Sequence, residues 1–205
     1  MTVTAADLGR ALESVDRALR PTVTQDWTRK AGELDWDCRQ TAEHVGDVLM
    51  SYAAQVVSRP QDHYVRFLAK ADEGATPQEL LELALTGARL LKAAVSTSAE
   101  DVRAYHPTGK ADPEGFAAMG CAELLLHGED LATGLNTRLD PPREVCANVV
   151  ARLFPGEAPA SDPWDGLRWR AGRIALPGRS RQTEWKWQGA PLGDEASRSV
   201  NGVCL

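Results

Sequence analysis

The chain has 205 residues, of which 43% are hydrophobic and 25% charged, and a formal net charge of −6. That length and composition suit one globular domain with an appendage, and the acidic balance argues against nucleic acid as a general partner. No apolar run approaches the ~20 residues of a membrane span, and the opening MTVTAADLGR lacks the order of a secretory signal, so a cytoplasmic protein with no membrane partner is expected.

Residues 4–19 read as the first helix. Leu8, Leu12, Val15 and Leu19 recur at helical spacing, Thr4 and Asp7 match a capping arrangement, and Pro21 ends the run. The loop over 22–36 carries Trp27 and Trp36, which are expected to plug the edge of the core. A second helix spans 37–57, capped by Asp37 with Gln40 three residues on, and its apolar face is Val45, Val48, Leu49, Tyr52 and Val56. His44 lies at one margin of that face. After a polar stretch, Thr76-Pro77-Gln78-Glu79 opens a third helix with an N-cap, a proline at the first position and an acid at N3. It runs to about residue 95 through Leu80, Leu83, Leu90 and Leu91. His63 and His106 have loop-like surroundings and read as surface residues, with an approach of His106 to the site as the lesser alternative. Asp112-Pro113-Glu114 starts a fourth helix, which Asn136 can end in a left-handed turn. A fifth, shorter helix begins at Asp140-Pro141-Pro142, turns Val145, Val149, Val150 and Leu153 inward, and stops at Pro155-Gly156.

The composition then changes. Residues 156–163, GEAPASDP, read as a linker. Residues 164–187 hold four tryptophans and six basic residues against two acids, a local balance of +4 that leaves −10 for the rest of the chain. Thr183-Glu184-Trp185-Lys186-Trp187 alternates like a half-buried strand, enough for a small β-hairpin. Four tryptophans in a free tail would expose too much apolar surface. The segment is therefore expected to pack back, with Trp185 and Trp187 buried together and Lys186 in water. Residues 188–205 look weakly ordered. Cys38, Cys121, Cys146 and Cys204 form no Cys-x-x-Cys pair and read as reduced thiols. The expected organisation is all-α: a helical bundle over 1–155 and a Trp- and Arg-rich extension over 156–205 that packs on it.

The chemistry concentrates in 119–135, MGCAELLLHGEDLATGL. At about 100° per residue it has one apolar arc, and Glu123, His127 and Asp130 fall near its middle. Burying such groups costs several kcal/mol unless each finds a partner. Glu123 and His127 are four apart and share one face, so both can reach one ion, with His44 of the second helix as third ligand. Two nitrogens and one carboxylate leave a fourth position for water or substrate. A buried, purely structural Glu123–His127 hydrogen bond explains the same spacing. Asp130 reads either as an acceptor for an imidazole N–H or a polar residue at the cleft mouth, or as a capping or salt-bridging acid near the helix end. Glu129 points away and reads as solvated, and Cys121 is too far round the helix to be a ligand. No nucleophile elbow, phosphate loop or dinucleotide turn is present.

The segment Leu34-Asp35-Trp36-Asp37 … Glu43-His44-Val45, with tryptophan eight residues before histidine, resembles the start of the second helix in the mycothiol-dependent maleylpyruvate isomerase N-terminal domain family, a branch of the DinB-like metal-binding superfamily. Ala122-Glu123-Leu124-Leu125-Leu126-His127-Gly128-Glu129-Asp130-Leu131-Ala132 looks like that family's second motif. The resemblance covers roughly residues 1–155. It implies a DinB-like four-helix bundle that binds a divalent metal, usually zinc, through His44, Glu123 and His127. Members with known activity use a low-molecular-weight thiol. The resemblance therefore implies mycothiol as cofactor, an electrophilic small molecule as substrate, and an S-transferase or isomerase, monomeric or homodimeric. Only about fifty residues follow the bundle here, and they do not resemble the isomerase's C-terminal domain, so maleylpyruvate isomerisation itself is not expected. The alternatives are a non-catalytic metal-binding domain and a metal-dependent hydrolase.

Overall fold

The computed structural model describes residues 2–156 and 160–193. Cys204, most of 188–205 and part of the linker expected over 156–163 lie outside them. The described chain is mostly helical, with α1 Ala5–Leu19, α2 Cys38–Ser58, α3 Pro77–Thr97, α4 Pro113–Gly134, α5 Arg143–Leu153 and α6 Pro163–Arg170. None of these helices is long and apolar enough to cross a membrane.

The helix starts follow the capping chemistry written in the chain. Thr4–Asp7, Asp37–Gln40 and Thr76–Glu79 each form a capping box, in which the N-cap side chain takes the third backbone N–H and the third side chain takes the N-cap N–H. Asp112 caps α4 ahead of Pro113 by accepting from Gly115 N. Asn136, at φ 53°, supplies the left-handed turn beyond α4.

Helices α1 to α4 pack on one another around a common core, with α5 against α4 and α6 against α5. The α2–α3 crossing is set by two glycines. A methyl group at Gly87 would stand 2.7 Å from the Gly46 carbonyl oxygen, and one at Gly46 would stand 2.8 Å from Leu83 Cγ. Only glycine permits this approach, and it fixes α2 two residues from His44. On α3 the inward residues are Leu80, Leu81, Ala84, Leu85, Ala88 and Leu91. Leu90 is 49% exposed and does not belong to the core.

Helix α4 departs from the single apolar arc expected of it. Every residue from Gly115 to Leu126 is buried, including Leu125 and Cys121 on the side away from Glu123. A helix apolar all round belongs at the centre of a body rather than at its surface, and α4 touches α1, α2, α3 and α5. Glu123 therefore lies within a stretch of α4 buried on all sides, and His127 and Asp130 follow just beyond it.

The extension contains a helix that its tryptophan pattern hides. Asp162 caps α6 through the N–H groups of Trp164 and Asp165, and Pro163 takes the first turn. Trp164, Leu167 and Ala171 join the main core. Further on, buried Arg152 of α5 donates to the carbonyls of Gln188 and Gly189 at 3.1 and 3.0 Å, and Gln188 N donates to Leu153 O at 2.8 Å. The strand expected over 183–187 does not form. Among the described residues the only β-contact in the extension is an isolated bridge, Leu176 to Arg179. Backbone groups near Trp187 bond to helix and loop backbone instead of to a second strand.

Candidate metal centre

Helix α2 brings His44 and α4 brings Glu123 and His127 to one place. One turn separates Glu123 from His127, which stacks their side chains on a single face. Glu123 Oε2 lies 3.3 Å from His127 Nε2 and 3.6 Å from His44 Nε2. The three donor atoms all lie within 4.8 Å of one another. Zinc bonds to nitrogen and oxygen are about 2.0–2.2 Å, which puts neighbouring ligand atoms of a tetrahedral site roughly 3.3 Å apart. The spacings found here fit that requirement with little adjustment.

The tautomer of His127 fits as well. Its Nδ1 faces Asp130 Oδ2 at 3.1 Å, so Nδ1–H donates to the carboxylate and Nε2 is turned to the cluster. The same Asp130 oxygen accepts from Arg173 at 2.9 Å. Asp130 is 7% exposed and Glu123 9%. Asp130 is thus both an acceptor for an imidazole N–H and a salt-bridging acid near the helix end.

Electrostatics couple these groups tightly to one another. Burial pushes the Glu123 carboxyl up, but hydrogen bonds from His127 and His44, and their charge, outweigh it and hold the group well below the usual carboxylate range. Burial pushes the His127 imidazole down, yet hydrogen bonds to Asp130 and Glu123, with their negative charge, raise it to about 9. In the protein without metal, His127 therefore carries a proton on each nitrogen. A metal ion at Nε2 would replace one of them.

The cluster forms the floor of a cleft of about 380 Å³ walled by Leu34, Trp36, Leu126, Arg173, Trp185 and Trp187, with Asp35 at its edge. Trp36 comes from the loop before α2, and its ring centroid is 5.0 Å from that of His44. Gly32, at φ 54°, lets that loop lie against the backbone of Asp130; a methyl group added at Gly32 would stand 3.4 Å from the Asp130 Cα. Of the two loop tryptophans, Trp27 is buried and plugs the core edge as expected, whereas Trp36 is a cleft wall. Trp185 and Trp187 contact each other at 5.6 Å between centroids. They are not buried together: Trp185 is 37% exposed, and Trp187 is half-buried. Both line the cleft, and Trp187 also packs against the core. Lys186 is exposed, as expected.

Two further expectations change. His106 is not a surface residue. It is 7% exposed and packs in an aromatic group with Tyr52, Tyr64 and Phe116. Tyr52 Oη in turn reaches Glu123 Oε1 at 3.5 Å. Thr108 N donates to His106 Nδ1 at 3.2 Å, which places the proton of the neutral ring on Nε2. Burial, opposed by the charge of Glu123, pushes this imidazole down to about 4. No local pattern in a loop marks such a residue. Only the neighbouring Tyr105, together with Tyr64, hints at an apolar cluster. Glu129, read as solvated, pairs with Arg168 of α6 at 2.8 Å and is half-buried. His63 is exposed beside Asp62, and Cys121 is buried away from the cluster with its thiol pushed up by desolvation.

Comparison of the chain with family models, with curated proteins and with solved structures found no match.

Proposed function

We propose that the chain is a DinB-like four-helix bundle, built by α1 to α4, that holds a divalent metal ion on His44, Glu123 and His127. Zinc is the first candidate. The proposed activity is that of a thiol S-transferase or isomerase using a low-molecular-weight thiol, mycothiol by the motif resemblance. One observation carries the reading: two imidazole nitrogens from different helices converge on one buried carboxylate oxygen at the floor of an open cleft. Structural ion pairs in a core are normally covered, whereas this one faces a space large enough for a small molecule.

The bound ion would lower the pKa of a thiol at the open position from about 8.5, so that thiolate exists near neutral pH. The protein's own groups do the rest. Asp130 holds the His127 ring in the orientation that presents Nε2. Tyr52 restrains the other oxygen of Glu123. The tryptophans and Leu126 exclude water around the open position. Arg173, already paired with Asp130, places a positive charge at the cleft wall, where it can hold an anionic part of a substrate.

A second reading is a non-catalytic domain in which the polar cluster serves stability. It is favoured by the fact that Glu123 already has two imidazole partners within the protein. Metal titration of the purified chain, followed by addition of mycothiol to cobalt-loaded protein, decides between them. A sulfur-to-metal charge-transfer band near neutral pH supports the enzyme. Metal binding without any response to thiol supports a hydrolase or a non-catalytic domain.

A further inference from the structure

The six tryptophans divide into two groups. Trp27, Trp164 and Trp169 are 2%, 5% and 8% exposed and fill the interior. Trp36 and Trp185, at 42% and 37%, and half-buried Trp187 all line the one cleft that contains His44, Glu123 and His127. Large aromatic surface left open to water is unfavourable by roughly 25 cal/mol per Å². Here the three open indoles come from two distant parts of the sequence, the loop before α2 and the C-terminal segment, and meet at one place.

Each part is held there by backbone contacts. Lys30 and Asp37 form an isolated bridge at the base of the Trp36 loop. On the other side, Arg152 and the Gln188–Leu153 hydrogen bond anchor the chain directly after Trp187. These contacts hold both segments at the cleft.

We propose that the cleft takes a substrate bearing an aromatic ring, with the ring bound against Trp36, Trp185 and Trp187 beside the open metal position. This rests on the reading of the cleft as the substrate site. The volume, about 380 Å³, is of small-molecule size and too small for a folded partner. Indole faces favour flat π-systems in offset or edge-to-face contact at 4.5–7 Å between centroids. A saturated ring of equal apolar area gains burial on the same walls but lacks that geometry. The test can thus separate aromatic recognition from general hydrophobicity.

The experiment uses the full chain and two pairs of probes. 2-Phenylethanethiol and 2-cyclohexylethanethiol are titrated calorimetrically into zinc-loaded protein. 2-Naphthylmethanol and its decahydro analogue, which lack a thiol, are titrated into both zinc-loaded and chelator-treated protein. The aromatic member of each pair is expected to bind about threefold to tenfold more tightly than the saturated one. Trp36→Ala and Trp185→Ala should remove that preference, with far-ultraviolet circular dichroism of each variant checking that the helices are kept. The naphthyl probe should bind with or without zinc. Equal affinity within both pairs, or a preference that survives both substitutions, overturns the proposal. Naphthyl binding with no zinc uptake at all would leave the ring site standing and defeat the metal reading, so the two failures are distinguishable.

Discussion

Arg173 and His127 share one oxygen. Asp130 Oδ2 accepts from Arg173 Nη2 at 2.9 Å and from His127 Nδ1 at 3.1 Å, so the C-terminal segment reaches a candidate metal ligand through a single buried carboxylate. The extension is thereby part of the site's support. Groups that orient a metal-bound histidine typically contribute 10- to 100-fold to affinity.

Asp130→Asn should therefore weaken zinc binding by about one to two powers of ten, and Arg173→Met by less, because His127 keeps its acceptor. Competition with a chromophoric chelator measures both. Equal affinities in the wild type and both variants would show that Asp130 and Arg173 are bystanders.

The buried helix α6 predicts a large stability effect far from the cluster. Leu167 is fully buried in the main core. Leu167→Ala removes its contacts and leaves a cavity, for which about 2–5 kcal/mol is the usual loss. Denaturant unfolding monitored by tryptophan fluorescence checks the figure. A change below about 1 kcal/mol would mean that α6 is docked only loosely.

Acid stability should depend on His106. Burial holds its folded pKa at about 4, below the ordinary 6.5, so the unfolded state binds more protons between these two values. Stability contributed by the neutral ring is complete above 6.5 and is lost as pH falls toward 4, a change of up to about 3 kcal/mol at 1.36 kcal/mol per unit. The groups facing it are Tyr52, Tyr64 and Phe116 by ring contact, with Glu123 acting through its charge. His106→Phe should flatten the fall in stability over that interval, whatever it does to stability at neutral pH. Urea midpoints at a series of pH values report the slope, and parallel profiles for the two proteins would refute the assignment.

Much of this molecule is legible in its residues, for identifiable reasons. Capping chemistry is local, so Thr4, Asp37, Thr76 and Asp112 mark helix starts without knowledge of what packs above them. The i, i+4 relation of Glu123 and His127 is likewise a property of one helix, and His44 was the only other histidine on a predicted helix. What stays hidden depends on long-range contact. Leu125 and Cys121 read as off-face because a periodic pattern assumes one buried side, and α4 is buried on all sides. The Asp162-Pro163 start of α6 was present as a local signal, but the surrounding linker composition obscured it. Trp185 and Trp187 alternate like a strand, yet no partner strand forms among the described residues; helix and loop backbone takes up the neighbouring hydrogen bonds. His106 is buried by Tyr52 and Phe116 from two other helices, which its own loop sequence cannot announce.

The stabilisation from metal should be visible in melting. A ligand that binds only the folded chain at about 1,000 times its Kd adds about 4 kcal/mol. Zinc-loaded protein should melt several degrees above chelator-treated protein, with the helical circular dichroism of the two nearly the same at 25 °C. Helix loss on chelation would mean that the metal is needed for folding itself.

The most direct test of the central claim is elemental analysis of untagged protein beside His44→Ala, His127→Ala and the double variant. The account predicts one divalent ion per wild-type chain, reduced occupancy in each single variant, none in the double variant, and retained helicity throughout. Full occupancy in the double variant, or a wild-type chain that takes up no divalent ion when titrated, would contradict it.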